Sequence, residues 1–502
     1  MGKYLTFDVG TTAIKTCLFD ESLSMLEKIG IEYDLITEGE KVELVPDTYW
    51  ETMKKAVAKI GTKHDLSDIR AVCLTTQGET MIPVDRDGKV LHNAVVWLDD
   101  RAEKQGEEVS RVLSGMGEKA LFKTTGLTEM NGYSPVAKLL WFKEEAPEIY
   151  SKTDKFLLLE DYLIYRLTGR MVSERSLLTS TGWFDIRKDQ YWSELLMKLG
   201  LDEEKLPEAL ECGEKVGYVT AEAACETGIP GTACVVTGAM DQIAAAIGGG
   251  GLKKDIVTAT IGTCMTMTAE ISEESAFADD AMTVYRGYKK GQYVLLPFAN
   301  TAGVVFKWLK DTIFTEYAAE CKKAGKDVYT ELCRMAEDVP AGAGGVTLLP
   351  HFAGSTRPRN LPQSKGIFFG LEIGTDRKAL VRATLESIGN MIRENLDMLR
   401  DLGVNVSKMQ FFGGGSKDRF WNQIIADISD VTLVKPREEE CGSLGAAILA
   451  ACGSGGKENV EEAQGLNPVI DTIVPDPSMR ETYDAAYERY QKLFDAAQTL
   501  FQ

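Results

Sequence analysis

FDVGTTAIKTCLFD at residues 7–20 and TATIGTCMTMTAE at residues 258–270 carry the same device about half a chain apart. Each reads as an apolar strand, a tight Gly-Thr turn and a second apolar strand. The backbone N–H groups and threonine hydroxyls of such a turn can face an anion, and glycine allows the close approach that a Cβ would block. A single Gly-Thr turn most often joins ordinary strands. Two at matching positions in the two halves point to phosphate held by two lobes.

The chain has 502 residues, 44% of them hydrophobic, which exceeds what one core usually holds and predicts two large domains. A formal net charge of −20 and a pI near 4.8 argue against nucleic acid or an anionic membrane as partner. A phosphate site must then be local and built from backbone. The N-terminus lacks a basic region followed by a long apolar one, and no stretch approaches a membrane span, so a cytoplasmic location is expected. Ten scattered cysteines without C-x-x-C pairs read as reduced, buried thiols. The three histidines, His64, His92 and His351, are isolated in sequence, which disfavours a zinc site or a Ser-His-Asp triad.

In the first half, helical periodicity over Asp47–Ile60 is followed by strands at Ile69–Thr75 and over AVVWLDDRA, residues 94–102. Residues 103–211 read as a mainly helical insertion beside a sheet. TACVVTGAMDQIAAAIGGGG, residues 232–251, reads as strand, turn and helix ending in four glycines, and places the domain boundary near residue 251. The expected domains are residues 1–251 and 252–502. The second half repeats the pattern with a hairpin over 256–270, a strand at Tyr293–Pro297, helices after Asn300 and Asp376, and a docked amphipathic helix over 475–501.

Asp241 sits between that strand and an Ala-rich helix. It reads as a helix cap or, with glycines on both sides admitting a ligand, as a carboxylate that accepts a hydroxyl proton while the hydroxyl attacks a phosphoryl group. Asp8 is two residues before the Gly10-Thr11-Thr12 turn. It reads as a turn residue or as a magnesium ligand, since magnesium beside phosphate needs only one or two carboxylates. Lys15 on the outgoing strand is counted with the nucleotide contacts, the alternative being a solvated strand lysine. FFGGGSKDRFWNQIIADISD, residues 411–430, reads as strand, three glycines and a helix from near Ser416, against which a flat ligand can press. GSLGAAILAACG, residues 442–453, is a small-residue helix suited to close packing. TTQGETM at 75–81 and WLDDRA at 97–102 break apolar strands with Gln77, Glu79, Trp97, Asp100 and Arg101, a set suited to a polyhydroxylated ligand. A surface ion pair around Asp100 and Arg101 is the structural alternative.

Two further stretches carry a resemblance. YSPVAKLLWFKEE, residues 133–145, and GIFFGLEIGTDRKALVRATLE, residues 366–386, are similar to the two signatures of the FGGY carbohydrate kinases. The second departs at Ala379, where the family usually has a polar residue, but keeps the spacing to Arg382, Ala383 and Glu386. The resemblance runs from residue 4 to about 455. It implies an α/β fold of two duplicated, actin/hexokinase-like (ribonuclease H-like) lobes with an active-site cleft between them, closing about the 248–251 glycines. It implies ATP and Mg2+ as cofactors, Asp241 as catalytic base and Asp8 as the magnesium-associated carboxylate. Gly10, Thr11 and Thr12, with Gly262 and Thr263, fall on the phosphate motifs, and Gly414, Gly415, Ser416 and Asn422 on the adenosine motif. Gln77, Glu79, Trp97, Tyr133, Asp241 and Gln242 stand where glycerol kinases have similar residues, but Gly78 replaces the arginine expected there and leaves room for a longer substrate. The Met-His pair typical of xylulokinases is missing, whereas overall length and the C-terminal helix are xylulokinase-like. The reading is a kinase for a small ketose or polyol, a pentulose foremost. A glycerol- or erythritol-type polyol is the alternative, and a non-catalytic sugar- and nucleotide-binding regulator is a second. A homodimer stays open.

Overall fold

The strands Lys3–Val9 and Ala13–Phe19 pair antiparallel across the first Gly-Thr turn, with Asp8 opposite Lys15. They belong to a six-stranded sheet in the order Lys215–Tyr218, Cys234–Met240, Ile69–Thr76, Lys3–Val9, Ala13–Phe19, Met25–Glu32. Its central three strands run parallel, and Cys234–Met240 is buried along its whole length. Such a strand needs cover on both faces. Leu5, Phe7 and Val9 join a core with Trp50, Met53, Val57, Leu163 and Ile164, contributed by the helices Asp47–Gly61 and Leu159–Thr168. The helix Cys441–Gly453 packs on the same sheet, against Lys3–Val9, Ile69–Thr76 and Cys234–Met240.

This sheet belongs to one of two compact units in a computed structural model that describes residues 2–356 and 358–501. The first unit comprises residues 1–250, 271–295 and 440–467, and the second comprises 251–270, 296–439 and 468–502. The crossing between Gly250 and Gly251 lies where the glycine run places a boundary. However, two segments of the second half return to the first unit. Packing of the small-residue helix explains one of them. A Cβ on Gly248 would lie 2.0 Å from the Cys441 carbonyl oxygen, and one on Gly445 would lie 1.9 Å from that of Ala244. The helices Asp241–Gly248 and Cys441–Gly453 therefore touch backbone to backbone, which only glycine permits.

In the second unit, Ile256–Ile261 and Met265–Ile271 form the other hairpin, and Lys408–Phe412, Thr432–Pro436 and Val469–Ile473 extend the sheet from Ile256–Ile261. The succession of one antiparallel, two parallel and one antiparallel pairing is that of the first unit from Ala13–Phe19 outward. The internal duplication signalled by the two turns is thus present in the topology. The helices Arg377–Asp401, Arg419–Ser429 and Arg480–Ala497 accompany the second sheet. Within the second signature, Arg382 holds Glu386 at 2.7 Å and donates to the Tyr483 hydroxyl at 2.6 Å, both buried. Ala379 donates its N–H to the Asp376 cap and joins a small apolar cluster with Ala343, Val346 and Ala383.

Several sequence expectations need correction. The stretch 94–102 is a strand only at Ala94–Val95. The chain then turns, because the buried Asp99 carboxylate accepts the Val42 and Arg101 backbone N–H groups. Residues 103–211 contain short strands as well as helices, among them Lys155–Leu158, which completes a five-stranded sheet with Met81–Val84. The helix expected from Ser416 starts at Arg419 with Asp418 as its cap, after a short 3-10 turn at Gly414–Lys417. All ten cysteines are free, with Cys225 exposed and Cys212, Cys264 and Cys452 part-exposed. Among the described residues no helix is long and apolar enough to cross a membrane.

Candidate active site

The first unit carries a pocket of about 160 Å³ walled by Thr11, Gln77, Gly78, Glu79, Trp97, Met240, Asp241 and Tyr285. Three elements deliver these groups. The parallel strands Ile69–Thr76 and Cys234–Met240 end side by side, releasing Gln77–Glu79 from one and Asp241 from the other. The Thr11 turn closes the side, its hydroxyl accepting the Trp97 indole N–H at 3.0 Å. The Tyr33 hydroxyl and backbone N–H brace the same turn at the carbonyls of Gly10 and Thr12.

Asp241 is the first residue of its helix, and its carboxylate accepts the Gln242 N–H at 2.6 Å. Met240, not Asp241, occupies the cap position. Burial, the Asp8 carboxylate and Glu79 together push the Asp241 carboxyl up to about 7, whereas its bond from Gln242 acts the other way. A carboxylate with that affinity is matched to taking a proton near neutral pH. Asp8 is also raised, by burial first, although Lys15 at 3.7 Å opposes the shift. Asp8 is a ladder residue of its strand, so it does not serve as a turn residue. The exposed Lys15 lies between Asp8 and Glu440, the latter at 3.4 Å, and Lys28 holds the other oxygen of Glu440.

Gln77 is buried, and its amide nitrogen donates to the Thr80 hydroxyl at 3.1 Å. Its Oε1 has no donor among the described residues. An acceptor left so costs about 1–3 kcal/mol, which a ligand hydroxyl would offset. Glu79 holds a left-handed backbone with φ of 68°, unusual for a non-glycine residue and frequent at ligand clamps. Burial raises its carboxyl, opposed by Lys138 and Ser180. Gly78 leaves only the Ser180 hydroxyl, at 3.3 Å, beside the place of a Cβ.

The structure sorts the remaining sequence candidates. Arg101 stands outside the pocket, buried against Asp99 at 2.7 Å and Glu43 at 2.5 Å, with its guanidinium over the Trp141 ring. The ion-pair alternative therefore describes Arg101, with Asp99 rather than Asp100 as partner. Asp100 and Tyr133 neighbour each other, and they and Gln242 are not among the pocket walls. Tyr285 and Lys138 escaped sequence reasoning. Tyr285 comes from a segment remote in sequence. Lys138 did leave a signal, a lone charge in the apolar run PVAKLLWF, and it is buried with its ammonium 3.0 Å from the Val96 carbonyl. Burial lowers it to about 8.

The second unit carries a larger cavity, about 650 Å³, whose walls include Ile261, Gly262, Thr263, Phe306, Lys307, Tyr329, Gly414, Gly415 and Trp421. A Cβ on Gly415 would lie 2.7 Å from the Ile261 Cβ, so glycine is required for the loop to lie on the strand. Ser416 and Asn422 are buried beneath the loop rather than in its wall. The Ser416 hydroxyl donates to the Gly413 carbonyl at 2.8 Å, and the Asn422 amide to the Ser416 carbonyl at 2.8 Å. The helical residues Phe306, Tyr329 and Trp421 carried no sequence signal beyond ordinary amphipathic spacing. This size and aromatic, glycine-rich lining suit a drug- or nucleotide-sized ligand.

Among the described residues no three His, Cys, Asp or Glu side chains gather as a metal cage. The lone Asp8, raised by burial and close enough to Asp241 to raise it too, is nevertheless a donor that a hydrated magnesium ion fits, because that ion takes few protein carboxylates.

Comparison with known proteins agrees with this architecture. The N-terminal domain of the FGGY family of carbohydrate kinases matches residues 3–248, and the C-terminal domain of that family matches residues 257–454. The chain belongs to the FGGY family of carbohydrate kinases, and so to the sugar phosphotransferases. It is similar to a xylulose kinase of Staphylococcus xylosus, 24% identical over 99% of this chain and 100% of the relative. It is also similar to a glycerol kinase of Thermococcus gammatolerans, 32% identical over 94% of this chain and 93% of that one. A crystal structure of a ligand-bound xylulose kinase from Lactobacillus acidophilus superposes with a TM-score of 0.87 at 24% identity, covering 100% of this chain and 99% of that one.

Proposed function

We propose that the protein transfers the γ-phosphoryl group of ATP to a terminal hydroxyl of a small ketose, a pentulose foremost. The carrying observation is the pocket in which the Asp241 carboxylate stands beside the unpaired Gln77 Oε1, with the Trp97 and Tyr285 rings and Glu79 completing the wall. Gln77 Oε1 and the Glu79 carboxylate accept sugar hydroxyls, while an aromatic face covers the carbon side. Asp241 takes the proton of the attacking hydroxyl. The sugar oxygen bonds to the γ-phosphorus as the bond from that phosphorus to the bridging oxygen breaks, leaving sugar phosphate and ADP.

Asp8 would hold magnesium, which when bound neutralises phosphate charge. The Gly10–Thr12 turn and Lys15 supply an amide-rich, cationic edge for the phosphates. In the second unit, Gly262 and Thr263 face phosphate and Gly414 and Gly415 offer a flat backbone to the base, with Ser416 and Asn422 bracing that loop from below. The xylulose kinases matched over nearly their whole length support a pentulose. The glycerol kinase at 32% identity supports the second reading, a glycerol- or erythritol-type polyol.

The test is a coupled ADP-release assay with magnesium-ATP across glycerol, erythritol, D- and L-xylulose, D- and L-ribulose, and gluconate. A dominant pentulose response with stoichiometric sugar phosphate is expected. A response confined to glycerol or erythritol would replace the pentulose by a polyol, and ADP release independent of any acceptor would overturn the pocket's assignment.

A further inference from the structure

Asp241 emerges from a strand whose ladder is interrupted at Thr237 and Gly238 and resumes at Ala239 and Met240 in a shifted register. The pairing of Cys234–Met240 with Ile69–Thr76 shifts register between Val236 and Ala239. At Gly238 the backbone lies so close to the neighbouring strand that a Cβ would fall 1.5 Å from the Leu74 carbonyl oxygen. A shift of this kind frees backbone groups that must find other partners. Side chains supply them. The Gly238 N–H donates to Glu160 Oε1 at 2.8 Å, the Ala239 carbonyl accepts the Thr75 hydroxyl at 2.8 Å, and the Met240 N–H donates to the Ser176 hydroxyl oxygen at 3.1 Å.

Ser176 is itself fixed by a second buried carboxyl. Glu174 accepts the Ser176 backbone N–H at 2.6 Å and its hydroxyl at 2.9 Å, the Leu177 N–H at 2.6 Å and the Cys212 thiol at 2.8 Å. Glu160, Glu174, Ser176 and Thr75 are all at most 1% exposed. None of them walls the 160 Å³ pocket.

Two acidic side chains buried this deeply, with no arginine or lysine bonded to them among the described residues, are costly to a fold. A fold needing only a covered strand could place apolar residues there. We infer that Glu160 and the Glu174–Ser176 pair are positioning residues that hold the Gly238–Met240 backbone and thereby aim the Asp241 carboxylate. Each of the three residues before Asp241 is fixed by a different side chain, and the set forms one buried polar layer behind the catalytic strand end. Burial raises both carboxyls, and Glu174 raises Glu160 further. The working atom of Glu160 is Oε1, the acceptor of the Gly238 N–H. Glutamine keeps that oxygen.

The inference rests on the reading of Asp241 as the base, and the test separates the two. Ser176→Ala, Glu160→Gln, Glu160→Leu and Asp241→Asn are assayed with magnesium-ATP and D-xylulose, or the panel acceptor that turns over fastest. Each is also examined by crystallography and thermal unfolding. Ser176→Ala is expected to lower kcat about tenfold or more with KM values for ATP and acceptor within twofold of wild type, and to displace the Met240–Asp241 backbone by about half an ångström or more. Glu160→Gln should retain near-wild-type kcat. Glu160→Leu should lose it, unless that variant fails to fold, in which case Ser176→Ala decides alone. An undisplaced Asp241 with unchanged kcat in Ser176→Ala would overturn the positioning role. Full turnover in Asp241→Asn would instead overturn the base assignment beneath it, whatever Ser176→Ala does.

Discussion

The two Gly-Thr hairpins share a backbone and differ in what surrounds it. In the first, Asp8 stands two residues before Gly10, opposite Lys15, and the turn is braced by the side chains of Trp97 and Tyr33. In the second, Thr260 occupies the place of Asp8, opposite Thr266. The turn is braced chiefly by backbone, with the Gly262 carbonyl accepting the Gly303 N–H and the Thr263 carbonyl accepting those of Ala302 and Val304, and by the Cys264 thiol, which donates to the Asn300 carbonyl at 3.2 Å. One copy has become a site of charged side chains around a small polar pocket, and the other a glycine-lined wall of a larger, aromatic cavity. A duplicated fold thus provides two alike Gly-Thr turns, and the carboxylates around the first set the two copies apart.

The comparison breaks most sharply at Asp241. If the first unit carries the chemistry, Asp241→Asn should lower kcat by about a thousandfold or more while the dissociation constant of ATP stays within about threefold. Wild-type activity should fall toward acid, because protonation of Asp241 near pH 7 removes the base, and Asp241→Asn should abolish that limb. Steady-state kinetics with isothermal titration of ATP measures both. A variant that loses ATP binding along with turnover would make Asp241 a nucleotide contact rather than the base.

The second copy is tested by adding a single carbon. Nothing lies within 4 Å of the place where a Cβ on Gly262 would sit, so alanine there should leave the fold and melting temperature unchanged. It would fill space that a phosphate needs. Gly262→Ala should raise KM for ATP about tenfold with little change in KM for the acceptor. Gly303→Ala is the contrasting control. Its Cβ would fall 2.3 Å from the Gly262 carbonyl oxygen, so it should lower the melting temperature as well. A Gly262→Ala variant with wild-type ATP kinetics would mean that ligand does not approach this turn.

The same contrast governs how much was legible beforehand. The hairpins, the strand and helix around Asp241 and the small-residue helix announce themselves through glycine and threonine at fixed spacing, because backbone geometry dictates those residues locally. The walls of the second cavity did not, since Phe306, Tyr329 and Trp421 are ordinary helix residues whose exposure to a cavity depends on packing over long sequence separations. Tyr285 and the return of 271–295 and 440–467 to the first unit were hidden for that reason as well. Arg101 looked like a substrate contact because its neighbours were polar. Besides Asp99 it meets Glu43 and Trp141, which lie 58 and 40 residues away along the chain.

The smallest expected effect concerns stability, and it distinguishes a chemically active copy from a passive one. Asp241 titrates near 7 in the folded protein but near the ordinary carboxylate value when unfolded, so its folded form prefers the proton. Its contribution to stability is therefore full below about pH 4 and is lost as pH rises through 7. Asparagine carries no such pH dependence. The stability of Asp241→Asn relative to wild type should accordingly grow by about 2 to 3 kcal/mol between pH 5 and pH 8 and change little above that, read from urea unfolding of both proteins at each pH. Gly262→Ala, on the passive copy, should track wild type at every pH. Parallel curves for Asp241→Asn and wild type would mean that Asp241 is ionised at ordinary carboxylate pH, and would remove the buried-base argument.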